Sequence, residues 1–189
     1  MNVLIIPEDQ ELDRYIVKPV IEALFDDLEI RARVDVLPEP RLRGTSDALD
    51  RELIAQIIAD NPMEDLFLLI IDRECDRENN ERHARLRVDE HPDKLIACLA
   101  VQEIEVWLLA LYKNKLDIDG FAEVRKHCDP KERWANPLLD QLGFQGPGRG
   151  RKRAMQALAK KWRSLRDTCA ELRDLQDAVK SWQENSRAS

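Results

Sequence analysis

Apolar and polar positions fall in blocks along this chain, and the blocks differ in period. Residues 3–6 are a short apolar run closed by Pro7, the pattern of a buried strand. Over residues 12–28 the period lengthens. Tyr15, Ile16, Val20, Ile21, Leu24, Phe25 and Leu28 recur at steps of three and four, which predicts a helix with one apolar face and Pro19 inside it. Residues 30–37 alternate and predict a second strand, closed by Pro38, Pro40 and a loop over 41–46. Leu49, Leu53, Ile54, Ile57 and Ile58 predict a helix over 48–59, capped by Ser46 or Asp47 and ended by Asn61-Pro62.

Six consecutive apolar residues at 66–71 stop at Asp72, as expected of a strand covered on both faces in a parallel sheet. A polar segment over 73–94 precedes another apolar run at 95–101, read as a fourth strand, with a helix starting near Glu103. This alternation predicts an α/β fold with a mostly parallel sheet flanked by helices over residues 1–115. Ligands in such sheets bind beyond the carboxyl ends of the strands. Further on, Gly120, Asp129-Pro130, Asn136-Pro137 and the glycines of 143–150 punctuate short helical pieces. Leu158, Trp162, Leu165, Cys169, Leu172, Leu175 and Val179 then share one seam, predicting one or two helices over 151–183. Residues 116–189 are thus expected to form a helical C-terminal extension packed on the main domain.

Composition narrows the function classes. A chain of 189 residues, 43% hydrophobic, can enclose a core without staples. Its net charge of -7 argues against coating nucleic acid by bulk electrostatics and leaves room for a local basic patch. Cys75, Cys98, Cys128 and Cys169 include no CxxC pair, so neither a zinc site nor a disulfide framework is signalled, and a cytoplasmic location is expected. No charged leader opens the chain, and no apolar run approaches the roughly 20 residues needed to span a bilayer.

The candidate chemistry lies at the strand ends. Glu8 follows the first strand, Asp72, Glu74 and Asp76 follow the third, and Glu103 and Glu105 follow the fourth. Neighbouring strands would bring these carboxylates together, and clustered carboxylates are stabilised by a hard cation with oxygen ligands, Mg2+ or Mn2+. Two such ions activate water and stabilise a leaving oxygen in phosphoryl transfer. Acids after strands also cap helices or face solvent, and for any one of these residues the two readings weigh about equally. The metal reading is stronger for Asp72, which ends a fully apolar strand. Glu103 and Glu105 stand about 200° apart on an ideal helix; Glu105 is the favoured ligand of the two. Trp107 reads as a core residue.

A second feature is basic. Arg149, Arg151, Lys152, Arg153, Lys160, Lys161, Arg163 and Arg166 fall with no acid between them, after Gly146-Pro147-Gly148. They read equally as a phosphate-contacting patch or as the solvated face of a helix. His83, His91 and His127 have no partner spacing for a metal site or a hydrolase triad.

The order strand-Glu8-helix followed by strand-Asp72-x-Glu74 resembles the TOPRIM pattern of topoisomerases, primases and OLD-type nucleases, in which a glutamate and an Asp-x-Asp pair bind magnesium. Here Glu74 stands at the second position of the pair, or the more distant Asp76 replaces it. Residues 5–10, 69–76 and 100–109, the last containing Glu103-x-Glu105-x-Trp107, are similar to the RloB-like, TOPRIM-related bacterial family encoded beside ATPases in phage-defence loci. The similarity covers about residues 1–112. It implies a TOPRIM-like metal-dependent nuclease with Glu8, Asp72 and Glu74 catalytic. Glu8, Asp72, Glu74, Asp76 and Glu105 would hold Mg2+ or Mn2+. It also implies a DNA substrate, with RNA as the other candidate, an ATPase partner encoded nearby and a role in phage defence; the apolar runs argue against a membrane, and a homo-oligomer stays open. The competing expectation is a non-catalytic TOPRIM-like scaffold that binds a partner.

Overall fold

The computed structural model describes residues 1–73 and 77–188. Glu74, Cys75 and Asp76, three residues of the sequence-predicted site region, lie outside the described residues. Four strands, β1 (Asn2–Pro7), β2 (Arg33–Val36), β3 (Leu66–Asp72) and β4 (Leu95–Ala100), form one sheet in the order β2-β1-β3-β4, and every pairing is parallel. The expectation of a mostly parallel sheet flanked by helices is met. Strand β3 is central and apolar on both faces, so each of its residues from Leu66 to Ile71 is buried.

The pleat sends alternate side chains into two cores. Val3, Ile5, Leu66, Leu68, Ile70, Ile96 and Cys98 face helices α1 (Arg14–Asp27), α5 (Glu105–Leu111), α9 (Leu158–Thr168) and α10 (Ala170–Ala188). Leu4, Ile6, Phe67, Leu69, Ile71 and Leu95 face α2 (Thr45–Ala48), α3 (Arg51–Asp60) and α4 (Arg77–Glu90). Short helices α6 (Phe121–Val124), α7 (Asn136–Gln141) and α8 (Arg151–Ala154) complete the chain. Leu158, Leu165, Leu172, Leu175 and Val179 belong to the same core as β1 and β3, so the helices after residue 115 form part of the sheet's own cover. Trp107 sits fully buried there and donates from Nε1 to Glu171 Oε1 at 3.0 Å, as a buried indole requires.

Three local expectations are corrected. The polar segment 73–94 contains α4, whose apolar residues are too few to reveal a helical period. The helix expected over 48–59 starts later, as α3, a separate α2 falls partly in the expected loop, and Asp50, rather than Ser46 or Asp47, caps α3 by accepting from Leu53 N at 2.8 Å. Cys128 is disulfide-bonded, which the cysteine spacing did not signal, while Cys98 and Cys169 are free and buried. No helix among the described residues is long and apolar enough to cross a membrane.

Candidate functional site

The strand order reverses between β1 and β3: the chain runs from β1 outward to β2 and returns past β1 to β3. Open parallel sheets bind ligands in the crevice that such a reversal leaves beyond the carboxyl ends. In this protein the crevice is a cleft of about 350 Å³, with Glu8, Asp13, Arg41, Arg43, Asp72, Glu105 and Lys131 in its wall. Glu8 arrives from the end of β1, Asp72 from the end of β3 and Glu105 from the first turn of α5. These three sequence-predicted residues meet in one cleft.

Backbone hydrogen bonds tie the elements together through the carboxylates. Glu8 Oε2 accepts from Asp72 N at 3.3 Å, which links β1 to β3. Asp72 Oδ1 accepts from Ile104 N at 2.8 Å and fixes the start of α5. Between β4 and α5, Gln102 adopts φ 69, a conformation rare outside glycine and costing on the order of 1–3 kcal/mol. Its buried Oε1 has no hydrogen-bond partner among the described residues. Gly44, at φ 102, approaches from the far wall, and a Cβ there would stand 3.8 Å from Glu8 Oε1.

Burial and mutual repulsion set the electrostatics of the cleft's acids. Burial pushes the Asp72 carboxyl well above the ordinary carboxylate range, and the charges of Glu105, Glu8 and Asp13 add to the effect. Asp13 is pushed up to about 8, again by burial first; the Asp9 N–H opposes this, while Glu105, Asp9 and Glu8 reinforce it. Asp13 was not among the acids expected from sequence. Its signal was present in Glu8-Asp9-x-x-x-Asp13, where Asp9 Oδ1 accepts from Glu11 N and Leu12 N while Asp13 Oδ2 accepts from Asp9 N.

Glu103 and Glu105 diverge, Glu103 lying before α5 and Glu105 opening its first turn. Glu103 leaves the cleft to accept from Lys131 N at 2.7 Å, and burial raises its carboxyl to about 7 against that hydrogen bond. Glu105 stays in the cleft wall, but its Oε1 accepts from Arg151 Nη2 at 2.6 Å and Arg151 Nε at 3.2 Å. Arg151 is wholly buried and also donates to Gly148 O. It therefore departs from the expected phosphate-contacting role: its charge is spent inside the fold on Glu105. Lys161 is exposed, with its ammonium over the Tyr112 ring and donating to Leu111 O. Arg149, Lys152, Arg153 and Lys160 face solvent.

Among the described residues, no three His, Cys, Asp or Glu side chains are grouped so as to hold a metal ion. Glu8 and Asp72 supply hard oxygen donors from two strands, which suits Mg2+ or Mn2+ in kind. Glu74 and Asp76, the other expected ligands after β3, lie outside the described residues. The chain matches no protein-family model, no curated protein and no solved structure.

Proposed function

We propose that this chain is a divalent-metal-dependent, TOPRIM-like nuclease that hydrolyses phosphodiester bonds, in DNA first and with RNA as the other candidate. An ATPase partner and a place in phage defence belong to the same proposal and rest on the resemblance of residues 5–10, 69–76 and 100–109 alone. The observation that carries the chemistry is the convergence of Glu8 and Asp72 at the strand-order reversal, beside the buried Asp13. Carboxylates held against their own burial and mutual repulsion favour a bound cation.

A bound cation supplies activation of water and neutralisation of charge on the phosphoryl oxygens. Glu8 and Asp72 would hold it, with Glu74 or Asp76 completing the set. Arg41, Arg43 and Lys131, in the same cleft wall, would receive the phosphate. Arg149, Lys152, Arg153 and Lys160 would steer the nucleic-acid backbone.

One observation favours the second reading, a non-catalytic scaffold. Glu105, an expected ligand, is already neutralised by Arg151, so the described acids fall short of a three-ligand site. Calorimetry with Mg2+ and Mn2+ on the wild type and Asp72→Asn, followed by plasmid nicking in the same samples, separates the two. Binding and nicking that both vanish in the variant support the nuclease. Absence of metal binding by the wild type favours the scaffold.

A further inference from the structure

Strand β4 is an edge of the sheet, and its outer backbone is open. Phe67 N donates to Lys94 O at 2.8 Å and Arg73 N donates to Ala100 O at 2.9 Å. With Phe67 opposite Leu95 and Asp72 opposite Ala100, the parallel ladder turns the N–H and C=O groups of Ile96, Cys98 and Ala100 toward β3. Those of Leu95, Ala97 and Leu99 therefore point outward. Leu95 N is satisfied by His91 O at 2.9 Å, whereas the backbone groups of Ala97 and Leu99 have no hydrogen-bond partner among the described residues.

A groove follows this edge between α4 and α10. One part, of about 430 Å³, is lined by Ala97, Leu99, Glu81 and Asp174, and the next, of about 590 Å³, by Val88, Asp93, Leu95 and Trp182. Residues 95–99 line the two parts in succession, and the outward backbone groups of Ala97 and Leu99, two residues apart, match the two-residue repeat of an extended chain. Among the described lining residues the charge leans acidic at Asp93 and Asp174, while Arg125 is held by Glu171 at 2.8 Å. Asp93 and Asp174 have no cationic partner among the described residues.

We propose that the groove along β4 binds an extended, lysine- or arginine-bearing segment of a partner protein, which pairs with Ala97 and Leu99 as a fifth strand. Open sheet edges recognise peptides in this way, with backbone hydrogen bonds giving affinity and the groove walls giving specificity. A second copy of this chain is disfavoured as the occupant, since pairing β4 with β4 would bring Asp93 and Asp174 of two chains of net charge -7 toward one another. The surface lies apart from the carboxylate cleft and stands whether or not that cleft hydrolyses phosphodiesters.

The test uses the full chain and a blocked synthetic peptide alternating valine with lysine. Amide hydrogen exchange of Ala97 and Leu99 is followed as the peptide is added. Strong new protection at these two amides is expected. N-methylation at alternate peptide residues, which keeps the side chains but removes the ladder donors, should abolish it. Replacing lysine by glutamate should weaken binding at least about fivefold, the scale of one rim charge pair. Ala97→Pro removes an outward N–H and leaves the bonds to β3, so it should block binding while keeping the circular-dichroism spectrum. Equal binding of the N-methylated peptide, no binding of the lysine peptide, or a dimer that protects Ala97 and Leu99 without peptide would each overturn the proposal. The N-methyl comparison decides even if Ala97→Pro fails to fold.

Discussion

Arg151 neutralises Glu105 across 46 residues of sequence, with Nη2 of one 2.6 Å from Oε1 of the other and both side chains almost completely shielded from water. The pair fastens the first residue of α8 to the first turn of α5, in the wall of the carboxylate cleft. Breaking such a pair from one side leaves a buried charge without compensation. Arg151→Met should therefore cost about 3–5 kcal/mol in urea unfolding, and Arg151→Met combined with Glu105→Gln should recover much of that loss. A single variant as stable as the wild type would mean that the pair contributes nothing to the fold.

The same region contains a steric lock. Gly148 adopts φ +65, and a Cβ there would stand 2.3 Å from Cδ2 of Tyr15. Gly148→Ala should lower stability by about 1–3 kcal/mol, through overpacking and the left-handed backbone together. Tyr15→Ala in the same chain removes the clash but not the backbone strain, so thermal melts should show partial rescue.

Asp13 predicts a pH dependence with a definite sign. Its carboxyl stands at about 8 in the fold against an ordinary 3.8, so between those values the folded chain binds more protons than the unfolded chain. The contribution of Asp13 is thus fully present below about pH 3.8 and is lost as the pH rises through about 8. Asp13→Asn should gain stability relative to the wild type across this window, most at its alkaline end. Urea titrations at a series of pH values measure the difference, and a constant offset between the two proteins would contradict the account.

If the exposed cations steer a nucleic-acid backbone, their removal should act through salt. Changing Arg149, Lys152 and Arg153 to Gln should weaken oligonucleotide binding similarly for all sequences, and reduce the slope of log affinity against log salt by about one for each phosphate no longer neutralised. Changing Lys160, also exposed, extends the same test. Fluorescence anisotropy over a range of salt concentrations reads both quantities.

The acidic ends of β1 and β3 were legible because a buried parallel strand must be continuously apolar, so the first carboxylate after it stands where the strand leaves the core. Glu8 and Asp72 follow from that rule. Helix α4 was not legible. Its residues are mostly charged or amidic, and Ala84 and Val88 make its main apolar contacts with the sheet, too few to show a period. The seam from Leu158 to Val179 was visible as a helical repeat, but not its insertion into the same core as β1 and β3.

Sequence by itself determined the alternation of strands and helices and the placing of acids at strand ends, since both depend on neighbouring residues and the period of the backbone. Tertiary structure decided the strand order, and with it which acids meet. It also decided the fate of charges far apart in sequence. Arg151 reads as one of a basic run, yet packing turns it inward to Glu105, whereas Lys152 and Arg153 beside it face water. Local sequence does not encode that distinction, because the cost of burying a guanidinium depends on whether a carboxylate 46 residues away arrives at the same point.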